Sequence, residues 1–166
     1  ERAESQEICF IPGDDYGAFL ETTHKNRSPR ALSPGDIETT DGRVVGRHRG
    51  TAHYTIGQRR GLGIALGTPV YVTAVEASRN VVVVGDGSEL ERRSMTVRDV
   101  LWTRGEPADE IRCRTRIRYR HRAADSHVVP GGDIATVSFA EPQQAITPGQ
   151  SAVFYDGDTL LGGGII

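Results

Sequence analysis

Apolar residues along this chain recur mostly at a period of two and in short runs. Val70-Tyr71-Val72-Thr73-Ala74-Val75 and Val81-Val82-Val83-Val84 read as two strands joined near Arg79-Asn80. Ile37-Glu38-Thr39-Thr40 and Arg43-Val44-Val45-Gly46 flank Asp41-Gly42, the signal of a two-residue hairpin turn. Residues 50–68 are Gly-rich and read as a long loop, a length that in a compact domain points to function or motion. Six later segments read as strands: Met95–Leu101, Arg112–Arg120, His127–Pro130, Ile134–Phe139, Ala152–Tyr155 and Leu160–Ile166. Gly131-Gly132, Pro148-Gly149 and Asp156-Gly157 mark turns between them. Turns about 8–12 residues apart with no helical period favour a small antiparallel barrel or sandwich. The one helix expected lies near the start, capped by Asp14 or Asp15 and running through Phe19, Leu20 and Thr23. Before it stands the apolar run Ile8-Cys9-Phe10-Ile11, and after it Asn26 to Pro34 reads as a linker.

Composition narrows the class. The chain has 166 residues, of which 37% are hydrophobic, an ordinary value for a folded protein. No apolar run approaches the ~18–20 residues needed to span a bilayer, so a membrane helix is not expected. Gly stands at 20 residues, well above average, as in a turn-rich β protein. Two Cys, Cys9 and Cys113, make no disulfide framework and fit a reducing compartment.

Charge changes the picture more. The net charge is only −2, yet Arg outnumbers Lys 19 to 1 and is concentrated in two acid-free stretches, Arg43 to Arg60 and Arg112 to Arg122. In the second, Arg112, Arg114, Arg116, Arg118, Arg120 and Arg122 alternate with Cys113, Thr115, Ile117, Tyr119 and His121. On a strand, all six guanidiniums would project from one face. Such a face needs acidic neighbours, Glu141 being a candidate, or a polyanion such as a nucleic-acid backbone. Tyr119 would then either stack on an unpaired base or sit half-buried in the core. Cys113 opposes the Arg face and reads as a core residue. Cys9 has no adjacent Lys, Arg or His, and Glu7 would raise its pKa, so its position alone favours a structural thiol.

Other chemistries find little support. The two Cys and five His show no zinc spacing. Gly61-Leu62-Gly63-Ile64-Ala65-Leu66-Gly67 misses the dinucleotide spacing by one, and there is no P-loop or GxSxG motif.

Several motifs, taken in order, carry a resemblance. They are Ser5-Gln6-Glu7-Ile8-Cys9-Phe10-Ile11, Gly46-Arg47-His48-Arg49-Gly50, Tyr54-Thr55-Ile56-Gly57-Gln58-Arg59-Arg60-Gly61-Leu62-Gly63-Ile64, Arg118-Tyr119-Arg120, Ile146-Thr147-Pro148-Gly149-Gln150-Ser151-Ala152 with Val153-Phe154-Tyr155-Asp156-Gly157, and Leu161-Gly162-Gly163-Gly164-Ile165-Ile166. In this order the sequence resembles the bacterial tRNA-specific 2-thiouridylases, a family that also carries an older methyltransferase name. The resemblance covers almost the whole chain but only the C-terminal portion of the family. The family's pyrophosphate loop and first catalytic cysteine have no counterpart here.

The resemblance implies a mainly β architecture in three parts. Residues 1–34 would be the tail of a catalytic α/β domain and a linker, 35–90 a small central β-rich domain, and 91–166 a six-stranded antiparallel β-barrel. It implies replacement of the wobble-uridine C2 oxygen by sulfur, with ATP and Mg used in the full-length family to adenylate that oxygen. Cys9 matches the cysteine that carries the persulfide and ends in a transient disulfide with a cysteine outside this chain. Arg118, Tyr119 and Gln150 match contacts to tRNA, and Pro148-Gly149 is a type II turn signal that would fix where Gln150 points. Gln58, Arg59 and Arg60 would touch RNA or cover the active site. The implied partners are tRNA, a persulfide donor (a cysteine desulfurase or sulfur-relay protein) and the N-terminal catalytic domain. No resident metal and a cytoplasmic location are expected. Alone, this chain should not thiolate tRNA, and a non-catalytic tRNA-binding barrel is the alternative.

Overall fold

The computed structural model describes residues 16–23, 30–119 and 121–166. The expected helix is present as α1 (Tyr16–Thr23). Its cap position, like Cys9 and the run around it, lies outside the described residues. The chain divides into two compact units, residues 1–85 and 86–166.

The first unit is a four-stranded mixed sheet built from β1 (Gly35–Thr39), β2 (Val44–His48), β3 (Tyr71–Glu76) and β4 (Val81–Gly85), in the order β2-β1-β4-β3. β1 and β2 form the expected hairpin, but its turn is displaced by one residue. Thr40 and Asp41 are its central residues, Gly42 N–H donates to Thr39 O, and Gly42 follows in the left-handed region at φ 85°. Adding a left-handed glycine after a four-residue turn is a common three-residue solution that suits the twist of the strands. β3 and β4 are antiparallel, joined as expected around Asn80. The β1–β4 pair is parallel, with Ile37 opposite Val82. All five residues of β4 are buried, which accounts for its uninterrupted Val run, since a strand covered on both faces loses the alternation. Ile37, Val72, Val82 and Val84 form the core, and Leu62 from the long loop joins them.

The second unit is a closed barrel of β5 (Glu91–Trp102), β6 (Ile111–Arg116), β7 (Ala124–Gly131), β8 (Ile134–Gln144), β9 (Ser151–Asp156) and β10 (Thr159–Ile165). All six neighbouring pairs are antiparallel, in the order β10-β5-β8-β7-β6-β9. The protein is thus mainly β, with the six-stranded barrel and a separate mixed sheet. Alternate residues point inward: Met95, Val97, Cys113, Ile117, Val128, Val137, Ala152 and Phe154 fill the interior. β10 closes the ring between β5 and β9. A Cβ on Gly162, Gly163 or Gly164 would collide with the backbone oxygens of Leu101, Ala152 and Arg98 respectively, so the three glycines allow the closure.

Candidate nucleic-acid interface

β6 carries the first half of the arginine series. Cys113 and Thr115 face the barrel interior, while Arg112 and Arg114 are exposed and Arg116 is half-buried. The expectation of six guanidiniums on one strand face does not hold. Pairing to β7 ends at Thr115, and pairing to β9 ends at Arg116. The alternation outlasts the ladder by two residues, with Ile117 buried and Arg118 exposed. The backbone then turns, His121 N–H donating to Arg118 O at 3.1 Å, and returns to begin β7. Arg120 lies outside the described residues. Without a partner strand there is no ladder to hold further extended residues, and a continued row of like charges would repel.

The turn also decides Tyr119. Had the strand continued, Tyr119 would point inward; instead its side chain stands at the surface with 62% exposure. The half-buried core position is therefore excluded, and the ring is exposed at the surface, where a base could stack on it.

The arginines differ in their surroundings. Arg114 bonds the Ala123 carbonyl at 2.9 Å and lies 3.8 Å from the Asp125 carboxylate, so its acidic neighbour is Asp125 rather than Glu141. Arg118 reaches the Gln144 carbonyl at 3.4 Å. Arg116 places its guanidinium 5.5 Å from the centre of the Tyr155 ring.

A second segment approaches the same place. Thr147 to Gln150 form a turn closed by Gln150 N–H donating to Thr147 O at 3.2 Å, with Gly149 at φ 87°. This is the positive φ that a type II turn demands after Pro148. Ile166 fastens it: Gly149 N–H donates to Ile166 O, and Ile166 N–H donates to Gln150 O, both at 2.9 Å. Among the described residues no hydrogen bond reaches the Gln150 side-chain amide.

Arg116, Arg118, Tyr119, Gln150, Ser151, Val153 and Tyr155 line a cleft of about 320 Å³. Arg118, Tyr119 and Gln150, 32 positions apart at the extremes, meet in one place, and no acid is among the lining residues. Two guanidinium forks can bind phosphate oxygens, an exposed phenol ring can stack on a base, and a free amide can bond a base edge or a ribose hydroxyl. Sequence reasoning placed Arg116 only among the six alternating arginines that could meet a polyanion, and it missed Tyr155 as a site residue. Tyr155 belongs because β9 pairs with β6, placing it opposite Arg114, a long-range fact with no local signal.

His121 adjoins this region. Burial, and next the positive charge of Arg118, push its pKa below the ordinary histidine value. Cys113 is a core thiol as expected, and burial pushes its pKa up, away from the reactive range.

The central-unit candidates behave differently. The Gln58 side chain closes its own loop, Oε1 accepting from Thr55 N–H at 3.1 Å and Nε2 donating to Arg60 O at 2.9 Å. Arg59 and Arg60 are exposed and are not among the residues lining the cleft. His48 is 2% exposed; Gly50 N–H donates to its Nδ1, so Nε2 carries the proton and donates to Asn80 O, both at 3.0 Å. The Gly46-to-Gly50 motif thus holds the sheet together.

A larger groove on the barrel, about 440 Å³, is apolar, lined by Leu101, Trp102, Leu160 and the three glycines of β10, with Asp99 its one ionisable side chain. Its lining lacks the basic character of the cleft. The described residues do not fit ATP. The Gly61 to Gly67 run leads into β3 with no helix N-terminus, and no cluster of His, Cys, Asp or Glu suits a metal. Among the described residues no helix is long and apolar enough to cross a membrane.

Two family models match. Residues 23–86 match the tRNA methyl transferase PRC-barrel domain, and residues 92–166 match the aminomethyltransferase beta-barrel domain. Among similar proteins is the tRNA-specific 2-thiouridylase MnmA of Moorella thermoacetica, 49% identical over 99% of this chain and 46% of its own length. Those of a Roseiflexus species and of Chlorobaculum tepidum are 49% and 46% identical, over 99% and 100% of this chain and 44% and 46% of their own lengths. The chain therefore spans somewhat less than half the length of these relatives.

Proposed function

The chain belongs to the tRNA-specific 2-thiouridylase family, and from that premise we propose that it is the C-terminal part of an enzyme that thiolates C2 of the tRNA wobble uridine. In this reading the barrel grips tRNA through Arg118, Tyr119 and Gln150, and Cys9 carries the sulfur. The single observation that supports it most is the convergence of those three residues in one acid-free cleft. They come from two distant segments, and their chemistry suits a phosphate, a base face and a hydrogen-bonding edge.

The proposed chemistry balances at Cys9. Its persulfide attacks C2 of a uridine whose oxygen has been adenylated; the C2–S bond forms and the C2–O bond breaks, the oxygen leaving on AMP. A second cysteine thiolate then attacks the Cys9 sulfur, breaking the S–S bond. The transferred sulfur stays on the base, reduced, and the two cysteines leave as a disulfide. ATP, with Mg, activates the oxygen. That site, the second cysteine and the bulk of the catalytic domain are assigned to the part of the relatives outside this chain's span. Cytoplasmic work with a desulfurase or relay protein as donor fits a disulfide that forms and is reduced in each turnover.

The test has two arms. Wild-type chain should bind unmodified tRNA with an affinity that falls steeply with salt, and Arg118→Ala should weaken it. Incubation with a cysteine desulfurase and cysteine should add the mass of one sulfur atom at Cys9 but not at Cys113. Salt-dependent binding with no sulfur on Cys9 would favour a tRNA-binding barrel without a sulfur-carrying role.

A further inference from the structure

The described arginines of the alternating series do not share one environment. Arg114 has Asp125 and the Ala123 carbonyl, and in the central unit Arg79 is held by Glu38 and Glu76, each at 2.8 Å. Arg116 has no carboxylate among the described residues. Its contact is the Tyr155 ring, within the ~6 Å over which a cation is attracted to a π-face. Its Nε–H is buried with no acceptor. A buried donor of this kind is uncommon and costs its full desolvation until something accepts from it.

We propose that Arg116 and Tyr155 form a phosphodiester-binding subsite on the wall of the cleft, beyond the contacts assigned to Arg118, Tyr119 and Gln150. The ring holds the guanidinium from its face and leaves the in-plane N–H edge without an acceptor. The Nη groups remain to meet phosphate oxygens, and Nε–H completes the two-oxygen fork once a small shift of the half-buried side chain uncovers it. Arg116 and Arg118 stand two residues apart on the same side of an extended segment, a separation of about 6–7 Å. This is the scale on which successive phosphates follow one another along a strand. The exposed Tyr119 ring lies next to Arg118 in sequence, and Ser151 and Gln150 complete the wall with neutral donors. A carboxylate ligand would satisfy the fork equally, but only a polyanion engages both arginines in register.

The inference rests on the cleft receiving tRNA, and the test separates the two. Binding of tRNA to the chain is measured by fluorescence anisotropy across a salt series, with thermal unfolding as the folding control. Arg116→Met keeps the aliphatic stem over Tyr155 and removes the fork. It should weaken binding about 5-fold near 0.15 M salt and flatten the log–log salt slope by about 0.7–0.9, the loss of one phosphate contact. Arg116→Lys should restore the slope while recovering only part of the affinity, because a point charge replaces a fork. Tyr155→Leu should weaken binding in the same direction. If Arg116→Met matches wild type in affinity and slope while Arg118→Ala lowers both, the subsite is wrong and the cleft stands. If wild type binds no tRNA, or neither variant changes binding, the reading of the cleft fails with it.

Discussion

Thr55-Ile56-Gly57-Gln58 and Thr147-Pro148-Gly149-Gln150 are nearly the same motif, one in each compact unit, and they fold into nearly the same turn. In each, the Gln N–H donates to the Thr carbonyl, at 3.0 and 3.2 Å, and the Gly is left-handed, at φ 86° and 87°. The side chains end differently. Gln58 is succeeded by a loop that brings the Arg60 carbonyl back within reach, so its amide bonds at both ends. Gln150 is succeeded by β9, whose carbonyls run into the sheet ladder, and no backbone group folds back to its amide. One turn uses its glutamine to hold itself; the other presents it. The same contrast separates His48, fully bonded inside the sheet, from Arg116, whose Nε has no acceptor. In the central unit Gln58 and His48 are consumed in structure, while in the barrel cleft the Gln150 amide and the Arg116 Nε–H have no partner among the described residues.

The largest effect that would sharpen this contrast is on the central unit. His48→Ala removes a buried ring and leaves Gly50 N–H and Asn80 O without partners. It should cost about 3 kcal/mol of stability. Chemical denaturation would measure it, with unfolding of the central unit at markedly lower denaturant and the barrel transition unchanged. A variant as stable as wild type would break the claim that the Gly46-to-Gly50 motif is structural.

Arg118→Ala should do the reverse. The side chain is exposed and its bond to the Gln144 carbonyl is long, so folding should change by less than about 0.5 kcal/mol. Affinity for tRNA should fall roughly 10-fold at moderate salt, with a flatter salt slope, as read by anisotropy or filter binding. A loss of fold instead of affinity would erase the difference between the two units.

The paired glutamines test it most directly. Gln58→Ala should lose about 1 kcal/mol of stability, since two backbone groups lose their partners at a solvent-accessible site. Gln150→Ala should leave the melting temperature unchanged and weaken tRNA binding a few-fold. Equal effects on both readouts would mean that the shared turn, not the fate of the side chain, sets the role.

Much of the fold was legible in sequence because it is local. The type II turn at Pro148-Gly149, the β3–β4 hairpin and the alternation of Cys113 and Thr115 with arginines all come from φ preference and period two. The illegible part is long-range or depends on where a ladder stops. Nothing in Arg112 to Arg122 says that β9 ends its pairing at Arg116, yet that end turns Tyr119 outward. The parallel β1–β4 pair joins segments 45 residues apart, Ile37 and Val82, and the intervening sequence reads as two hairpins. Gln58 and Gln150 look alike because the difference lies in the path of the chain after each turn.

The smallest expected effect concerns pH. His121 lies near Arg118 and shares a recess with Arg114, Arg122 and Glu141. Its folded-state pKa is lowered, by burial first and by Arg118 second. The unfolded chain, with an ordinary value near 6.5, therefore binds the proton more readily as pH falls. Stability is fully present above that value. It declines as pH drops through the unfolded pKa and levels off once the folded-state pKa is passed. The other histidines are common to both proteins, so the measure is the difference between wild type and His121→Gln in melting temperature across roughly pH 5 to 7.5, the range that brackets an ordinary histidine. The variant should show the shallower decline. Binding should move the opposite way, because a protonated His121 adds a cation beside Arg118. The affinity of wild type for tRNA should rise slightly on acidification relative to His121→Gln. If the variant reproduces the wild-type pH dependence in both readouts, His121 belongs with the structural histidine of the central unit and not with the cleft.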